Sequence, residues 1–386
     1  MDFELTEEQR AFRAVVADFA RREVAPHAAE WDATHTFPLD CVRAMGELGL
    51  FGLVFPEQYG GTAADFTTFC LAVEELARVD SSVAITLSAG VGLGAMPIYA
   101  FGTEAQRERW LPDLCAGRAL GAFGLTEPDG GSDAGSTTTR AERVEGGWRL
   151  DGAKAFITNS GTPITSVLTV TARTAETPDA PAGISSFVVP AGTPGLVVEP
   201  PYRKVGWHAS DTHGLSLSGV LVPEDHLLGR QGRGYAQFLA TLDDGRISIA
   251  ALAVGLAQGC LDEAVAYAKT RQAFGGPIGR YQAVAFKCAD LAVSVEAARL
   301  LTYQAAWAKD TGRPFKQLAA TAKLFATEAA VSAAREATQV FGGAGYIDET
   351  PVARFYRDAK ILEIGEGTSE VQRLVLARGL GLPVQA

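Results

Sequence analysis

WRLDGAKAFITN, residues 148–159, is a short run bounded by turn residues, unlike the helical segments on either side of it in this 386-residue chain. Similar runs follow: SVLTVTA (166–172), SSFVVP (185–190), GLVVEP (195–200) and GLSLSGVLV (214–222). Gly146-Gly147 and Asp151-Gly152 read as turns between such runs. From about Gly121 to Gly229 the chain is rich in Gly, Thr, Val and Pro. Residues 121–230 are therefore expected to form a β domain, built as a small barrel or sandwich.

Outward from this segment the pattern changes to helices. Before it, residues 1–120 carry amphipathic stretches at Pro38–Leu50, Thr67–Val79 and Glu104–Cys115. Thr6 with Gln9 forms a capping-box pattern opening a helix that runs through Arg22. After it, residues 231–386 contain long Ala/Leu-rich segments at about 235–270, 281–309, 315–341 and 351–378. RQAFGGPIGR, DTGRP and GGAGYIDETP separate them, and Pro314 suits a first helical turn. Four long helices with short connections predict an antiparallel bundle. The expected fold class is α+β and multidomain: helical domain, β domain, four-helix bundle.

Composition narrows the function. A net charge of −11 lacks the basic footprint of a nucleic-acid surface. Five scattered cysteines without a CxxC pair suit a reduced, cytoplasmic environment. The start MDFELTEEQR has neither a basic leader nor an apolar h-region. Ser81–Thr103 is uncharged for 23 residues, long enough to span a bilayer, but its Gly90, Gly92, Gly94 and Pro97 favour a buried helix beside a cavity. No membrane span is expected. His208, Asp211 and His213 have no third histidine nearby and are read as loop residues, so no metal is expected.

Several stretches carry chemistry. FGLTEPDGGSDAGSTTT (123–139) is a Gly/Ser/Thr loop whose amides and hydroxyls could wrap polar cofactor oxygens. It is not GxGxxG in a βαβ unit, so a nicotinamide fold is not indicated. RQAFGGPIGRYQ (271–282) joins two bundle helices and carries Arg271, Arg280 and Gln282; it reads equally as a solvated loop. QVFGGAGY (339–346) ends a helix at Gly342, a common glycine terminus. In ILEIGEGTSEVQRLV (361–375), Glu366 stands between two glycines among apolar flanks. By itself that glutamate would be ordinary helix-start chemistry.

Taken together, TEPDGGSDAG, FITN, RQAFGGPI, QVFGGAGY and RDAKILEIGEGTSE resemble the acyl-CoA dehydrogenase family, and the likeness runs from LTEEQRAF to EGTSEVQRLVLAR. The resemblance implies an FAD flavoprotein, an oxidoreductase of fatty acid β-oxidation. It also implies an acyl-CoA substrate, a homotetramer and electron-transfer flavoprotein as acceptor. It implies that Phe123, Leu125, Thr126, Gly131 and Ser132 run along the flavin, with Ser132 also near the thioester. Phe156, Ile157 and Thr158 would cover another part of the ring; the family often has Trp at the Phe156 position. Arg271, Phe274 and Gln282, with Gln339, Val340, Phe341, Gly342 and Gly343, would meet the FAD pyrophosphate and adenine across a subunit interface. Thr368, Ser369 and Glu370 would complete the cradle. Asp243, Asp244, Gly245, Arg246 and Gly367 would line the substrate path.

Glu366 resembles the family's catalytic base. Some members carry the base at the place of Gly245, which has no carboxylate here. The implied reaction is α,β-dehydrogenation to a trans-2-enoyl-CoA, Glu366 taking the α-proton and flavin N5 the β-hydride. A base among glycine and apolar residues should have a raised pKa suited to neutral pH. Gly365 stands where straight-chain members have Tyr, which points to a short or branched acyl group. Two alternatives stay open: an acyl-CoA oxidase-type flavoenzyme, and a non-catalytic helical assembly protein on the same fold.

Overall fold

The computed structural model describes residues 4–174 and 183–384. Helix α1 (Glu7–Phe19) opens with the Thr6–Gln9 capping box and passes into a π turn, Ala20–Val24, later than the sequence pattern's end at Arg22. Helices α2 (Ala28–Thr34), α3 (Leu39–Glu47), α4 (Phe66–Ala77), α5 (Ser81–Ala89), α6 (Met96–Phe101) and α7 (Glu104–Cys115) complete the first unit. Asp65 and Asp80 cap α4 and α5 by accepting hydrogen bonds from the first-turn amides.

The uncharged run forms α5, a π turn at Gly90–Ala95 and α6 in one continuous path. Ser81–Phe101 and the later Gly234–Thr270 are each long and apolar enough to cross a membrane, but 78% and 67% of their most apolar windows are buried inside this fold. Both serve as core helices here. The glycines explain the packing: a Cβ on Gly94 would sit 2.6 Å from the Gly121 carbonyl oxygen. Only glycine lets the helix backbone lie against the first strand.

That strand is β1 (Leu120–Gly124), followed by β2 (Arg140–Val144), β3 (Gly147–Thr158), β4 (Thr165–Arg173), β5 (Ile184–Pro190), β6 (Leu196–Pro201), β7 (Thr212–Pro223) and β8 (Leu227–Leu228). They form one eight-stranded sheet in the order β6-β7-β3-β2-β4-β5-β8, with β1 running parallel beside β4. Trp148, Leu150, Phe187, Leu215 and Val220 fill its core. Gly146 makes the β2–β3 turn at φ 80°. Asp151-Gly152, expected as a turn, instead lies inside β3 at a register shift against β7. A Cβ on Gly152 would sit 2.6 Å from Thr139 Oγ1, so the glycine serves a close approach within a bulged strand.

The C-terminal unit comprises α8 (Gly234–Thr270), the small hairpin β9 (Gln272–Ala273) and β10 (Gly276–Pro277), α9 (Gln282–Asp310), α10 (Lys316–Phe341), α11 (Pro351–Ala359) and α12 (Ser369–Gly379). Pro314 falls just before the Phe315 N-cap of α10 and so lies outside the helix. The fourth bundle helix, expected as unbroken from 351 to 378, is interrupted. After α11 comes a 3₁₀ turn, Lys360–Glu363, and then a loop that reaches α12 at Ser369. Left-handed residues at Glu366 (φ 53°) and Gly367 (φ 92°) make a continuous helix impossible.

Candidate active site

The interruption places Glu366. A non-glycine residue in the left-handed region carries a strain of about 1–2 kcal/mol, so the surrounding packing must hold it there. Thr368 caps α12 through the Val371 amide at 3.2 Å, anchoring the far side of the loop. The carboxylate turns toward α8, where a Cβ built on Gly245 would collide with its Oε2. Gly245 is thus the vacancy that admits the acid. Oε2 is buried and has no hydrogen-bond partner among the described residues. Burial pushes the Glu366 carboxyl up to about 7, against the opposing pull of Lys323 and Arg246. The Glu366 amide makes no hydrogen bond among the described residues either, leaving an N–H donor beside the acid. A buried carboxyl poised near neutrality with no partner is arranged for proton transfer.

Arg246, one residue beyond Gly245, is buried and paired with Asp243. Asp244 instead pairs with Lys309 of α9 at 2.7 Å, tying two bundle helices together. Gly365 has room: a Cβ there meets only Ile361, at 3.4 Å or more. Ser369 is buried with its Oγ unpartnered, whereas Glu370 is exposed.

On the β domain the expected cofactor segments converge. Phe123 packs at a tilt against Phe238 of α8, 3.9 Å between centroids, within a cluster holding Leu125. Ala155 donates its amide to the Thr126 carbonyl at 2.9 Å, stitching the two segments side by side. Gly131 and Ser132 lie exposed on the loop. Phe156 sits at a second register shift of β3, with φ 61° and 64% exposure. A bulge commonly re-aims a side chain next to an active site. Ile157 points into the sheet core, and Thr158 is half-buried.

Beneath both segments lies a buried ion pair, neither member of which is among the expected site residues. Lys154 and Glu127 are almost wholly buried and meet at 2.7 Å. Glu127 also accepts from the Thr138 amide and hydroxyl at 2.6 Å each and from the Thr139 amide at 3.0 Å. Lys154 also donates to the Leu125 carbonyl at 3.3 Å and to Thr171 at 3.1 Å. The one available signal was a lysine inside the apolar run AKAFI.

The remaining candidates gather elsewhere. Tyr267 and Phe341 stack at 4.1 Å, so the ends of α8 and α10 lie together. Arg271 follows by one turn, its amide bonded to the Tyr267 carbonyl at 2.8 Å; its exposed guanidinium has no partner among the described residues. Phe274 is 91% exposed at φ 50°. Gln282, Gln339, Gly342 and Gly343 are exposed at the same end. Val340 and Phe341 have buried side chains, leaving mainly backbone to offer a ligand. Lys323, which contacts the Glu366 loop, and Phe341 are the two ends of a helical stretch about 27 Å long. The sequence-derived set therefore splits into two half-sites.

The donor set suits a flavin dinucleotide. An exposed aromatic on a strained bulge, Phe156, offers a surface for a ring system, and Ser369 leaves an unpartnered hydroxyl nearby in sequence to the base. The Arg271 guanidinium, without a partner among the described residues, beside the exposed glycine turn at Gly342 fits a pyrophosphate through charge-assisted hydrogen bonds. His213 is taken up by Asp211 at 2.7 Å and by the Glu199 carbonyl, and among the described residues no group of three or more His, Cys, Asp or Glu could hold a metal.

Comparison with known proteins agrees in every unit of the fold. Models of the acyl-CoA dehydrogenase N-terminal, middle and C-terminal domains match residues 6–118, 122–220 and 232–381. The chain is 50% identical over 380 residues to the probable acyl-CoA dehydrogenase YngJ of Bacillus subtilis, covering 98% of this chain and 100% of that one. Among solved structures, butyryl-CoA dehydrogenase from Megasphaera elsdenii superposes with a TM-score of 0.96 at 43% identity, covering 98% and 100% of the two chains. A chain solved in work on the electron transferring flavoprotein of Acidaminococcus fermentans and flavin-based electron bifurcation gives the same TM-score and identity, covering 98% and 99%. With its buried acid, its paired cofactor segments and all three domains matched, the chain belongs to the acyl-CoA dehydrogenase family.

Proposed function

We propose that the protein is a flavin-dependent dehydrogenase of short or branched acyl-CoA thioesters, with Glu366 as its base. The observation that carries this reading is the unpartnered, buried Glu366 carboxylate facing Gly245. Glu366 removes the α-proton of the thioester and holds it on its carboxylate. The free Glu366 amide is placed to donate to the thioester carbonyl as negative charge develops on that oxygen, which lowers the barrier. Phe123, Leu125, Thr126, Phe156 and Thr158 would hold the FAD ring, while Ile157 anchors the strand in the sheet core beneath it. When bound, FAD supplies the two-electron acceptor for the β-hydrogen, and a 2-enoyl-CoA is released. The apolar cluster of Phe123, Leu125 and Phe238 excludes water from that side of the site.

The reading extends to assembly. Phe286, Val293, Leu300 and Trp307 recur every seven residues on α9, all 45–70% exposed, a stripe suited to burial against another copy. The two half-sites, at opposite ends of the Lys323–Phe341 stretch of α10, would be complementary across a homotetramer, one subunit's Glu366 end facing the Arg271 end of its neighbour. Electrons would pass onward to an electron-transfer flavoprotein in the reduced cytoplasm. Arg271→Ala is accordingly expected to lower bound FAD at least ten-fold and to weaken the oligomer, read by absorbance at constant protein and by light scattering. Full flavin in an unchanged oligomer would show the arginine to be a solvated loop residue.

Substrate choice rests on Gly365, where an added Cβ would meet only Ile361 and the backbone is not left-handed. An added methyl in an apolar pocket changes discrimination by about 1–3 kcal/mol. Gly365→Tyr should therefore shift the ratio of isobutyryl- to butyryl-CoA turnover roughly 5- to 100-fold toward the linear substrate. A panel assayed with a dye acceptor tests both claims, and an unchanged ratio removes Gly365 from the pocket wall.

A further inference from the structure

Lys323 of α10 is fully buried and takes no part in the steps above. Its Nζ donates to the Gly367 carbonyl at 2.8 Å, and Gln372 Nε2, reaching back from α12, donates to the same oxygen at 2.9 Å. Donors from two helices thus grip one carbonyl of the turn in which Glu366 and Gly367 are both left-handed. A Cβ on Gly367 would meet Gln372 Nε2 at 2.8 Å, so the turn and its clamp are closely fitted. An ammonium has three protons to donate, and Gly367 takes one. Among the described residues no carboxylate lies within ion-pair distance of Lys323.

The charges around this spot are few. Glu366 and Arg246 face Lys323, with Glu363 and Glu370 on the flanks of the loop. Arg246 is committed to Asp243, and Lys309 to Asp244. That leaves Lys323 as the buried cation without a carboxylate of its own beside the base. A buried lysine costs desolvation unless its charge is used, and here the nearest use is the carboxylate of Glu366.

We propose that Lys323 is a positioning residue for Glu366, fixing the left-handed turn through the Gly367 carbonyl and supplying the positive charge that keeps the base ionisable in its apolar setting. The proposal rests on Glu366 being the base. Burial pushes the ammonium down to about 8 while Glu366 pulls it up, and the same coupling draws the Glu366 carboxyl down toward 7. The sign follows: without the cation the carboxylate loses its stabilisation, and its midpoint moves to higher pH.

The test is Lys323→Met, which keeps the length of the side chain but removes the donor and the charge. Its first readout is a ¹³C NMR titration of glutamate δ-carboxyls in the purified enzyme, with the Glu366 resonance identified by its loss in Glu366→Gln. Its second is the pH profile of substrate-driven flavin bleaching. The Glu366 midpoint should rise by about one pH unit, so that bleaching at pH 7 falls about five-fold and the deficit closes above about pH 9. Lys323→Gln, which can still donate to Gly367, should show the same displacement and serves if the Met variant does not fold. An unmoved midpoint, or a loss of rate equal at every pH, would reduce Lys323 to a structural residue and overturn the proposal. Glu366→Gln judges the underlying reading separately: if it still bleaches at the wild-type rate, the base is elsewhere.

Discussion

Glu366→Gln should retain yellow, FAD-loaded protein and near wild-type thioester affinity while slowing substrate-driven flavin bleaching by about 10²–10⁴-fold. The amide preserves the shape that fills the space over Gly245 and cannot accept the α-proton. The backbone N–H offered to the thioester carbonyl is untouched, so binding and turn geometry should survive. The measurement is stopped-flow absorbance under single-turnover conditions. Bleaching within a few-fold of wild type would sink the assignment. In the wild type, kcat/KM should climb with pH through a midpoint near the value of about 7 at which burial sets the carboxyl. The base works only when ionised, so rate is gained as pH rises through that midpoint. The Gln variant should lose this limb altogether.

The parts of this site that could be read without coordinates were those whose chemistry leaves a composition trace. The Gly/Thr/Val-rich stretch separated the sheet from the helices on either side. Glu366 stands out in the sequence between its two glycines, but the helical pattern of 351–378 continues across them. The break is hidden for a simple physical reason: the periodicity of 351–378 is helical on both sides of the loop, and positive φ at a glutamate has no sequence signature. Asp151-Gly152 misled in the opposite direction, because a glycine required by contact with Thr139 looks the same as one required by a turn. Lys154, marked only by its apolar neighbours, and Lys323 are hard to read for another reason. A lone lysine in a strand or helix reads as solvent-facing, and only tertiary packing reveals that both are fully buried. Separation of the two half-sites also needed three dimensions, since it follows from the length of α10.

Lys154→Met is expected to destabilise the β domain by about 3–5 kcal/mol and to strip FAD from the enzyme, because removing one member of a buried pair leaves the other charge uncompensated. Burial would raise the Glu127 carboxyl, but Lys154 and the Thr138 and Thr139 donors override it and hold it at about 2. Since that folded value lies below the ordinary carboxylate range, the pair's contribution is present at neutral pH and is lost as pH falls from about 4.5 toward 2. In the Met variant the Glu127 pKa should rise, so acid unfolding should begin at higher pH. The flavin loss follows from geometry: Lys154 holds the Leu125 carbonyl, and Glu127 holds Thr138 and Thr139 at the far end of the same loop. Release of either end frees the loop beside Phe156. Denaturant midpoints and flavin content of Lys154→Met, Glu127→Gln and the double variant make the decisive set, since a cycle isolates the coupling between the two residues. The double variant should be more stable than Lys154→Met alone, because the neutral amide that replaces the Glu127 carboxylate no longer demands a cation and can still accept from the threonine amides. Additive losses, or a Lys154→Met enzyme with full flavin and an unshifted midpoint, would mean that the pair merely fills space and that the cofactor loop is held by its own backbone contacts.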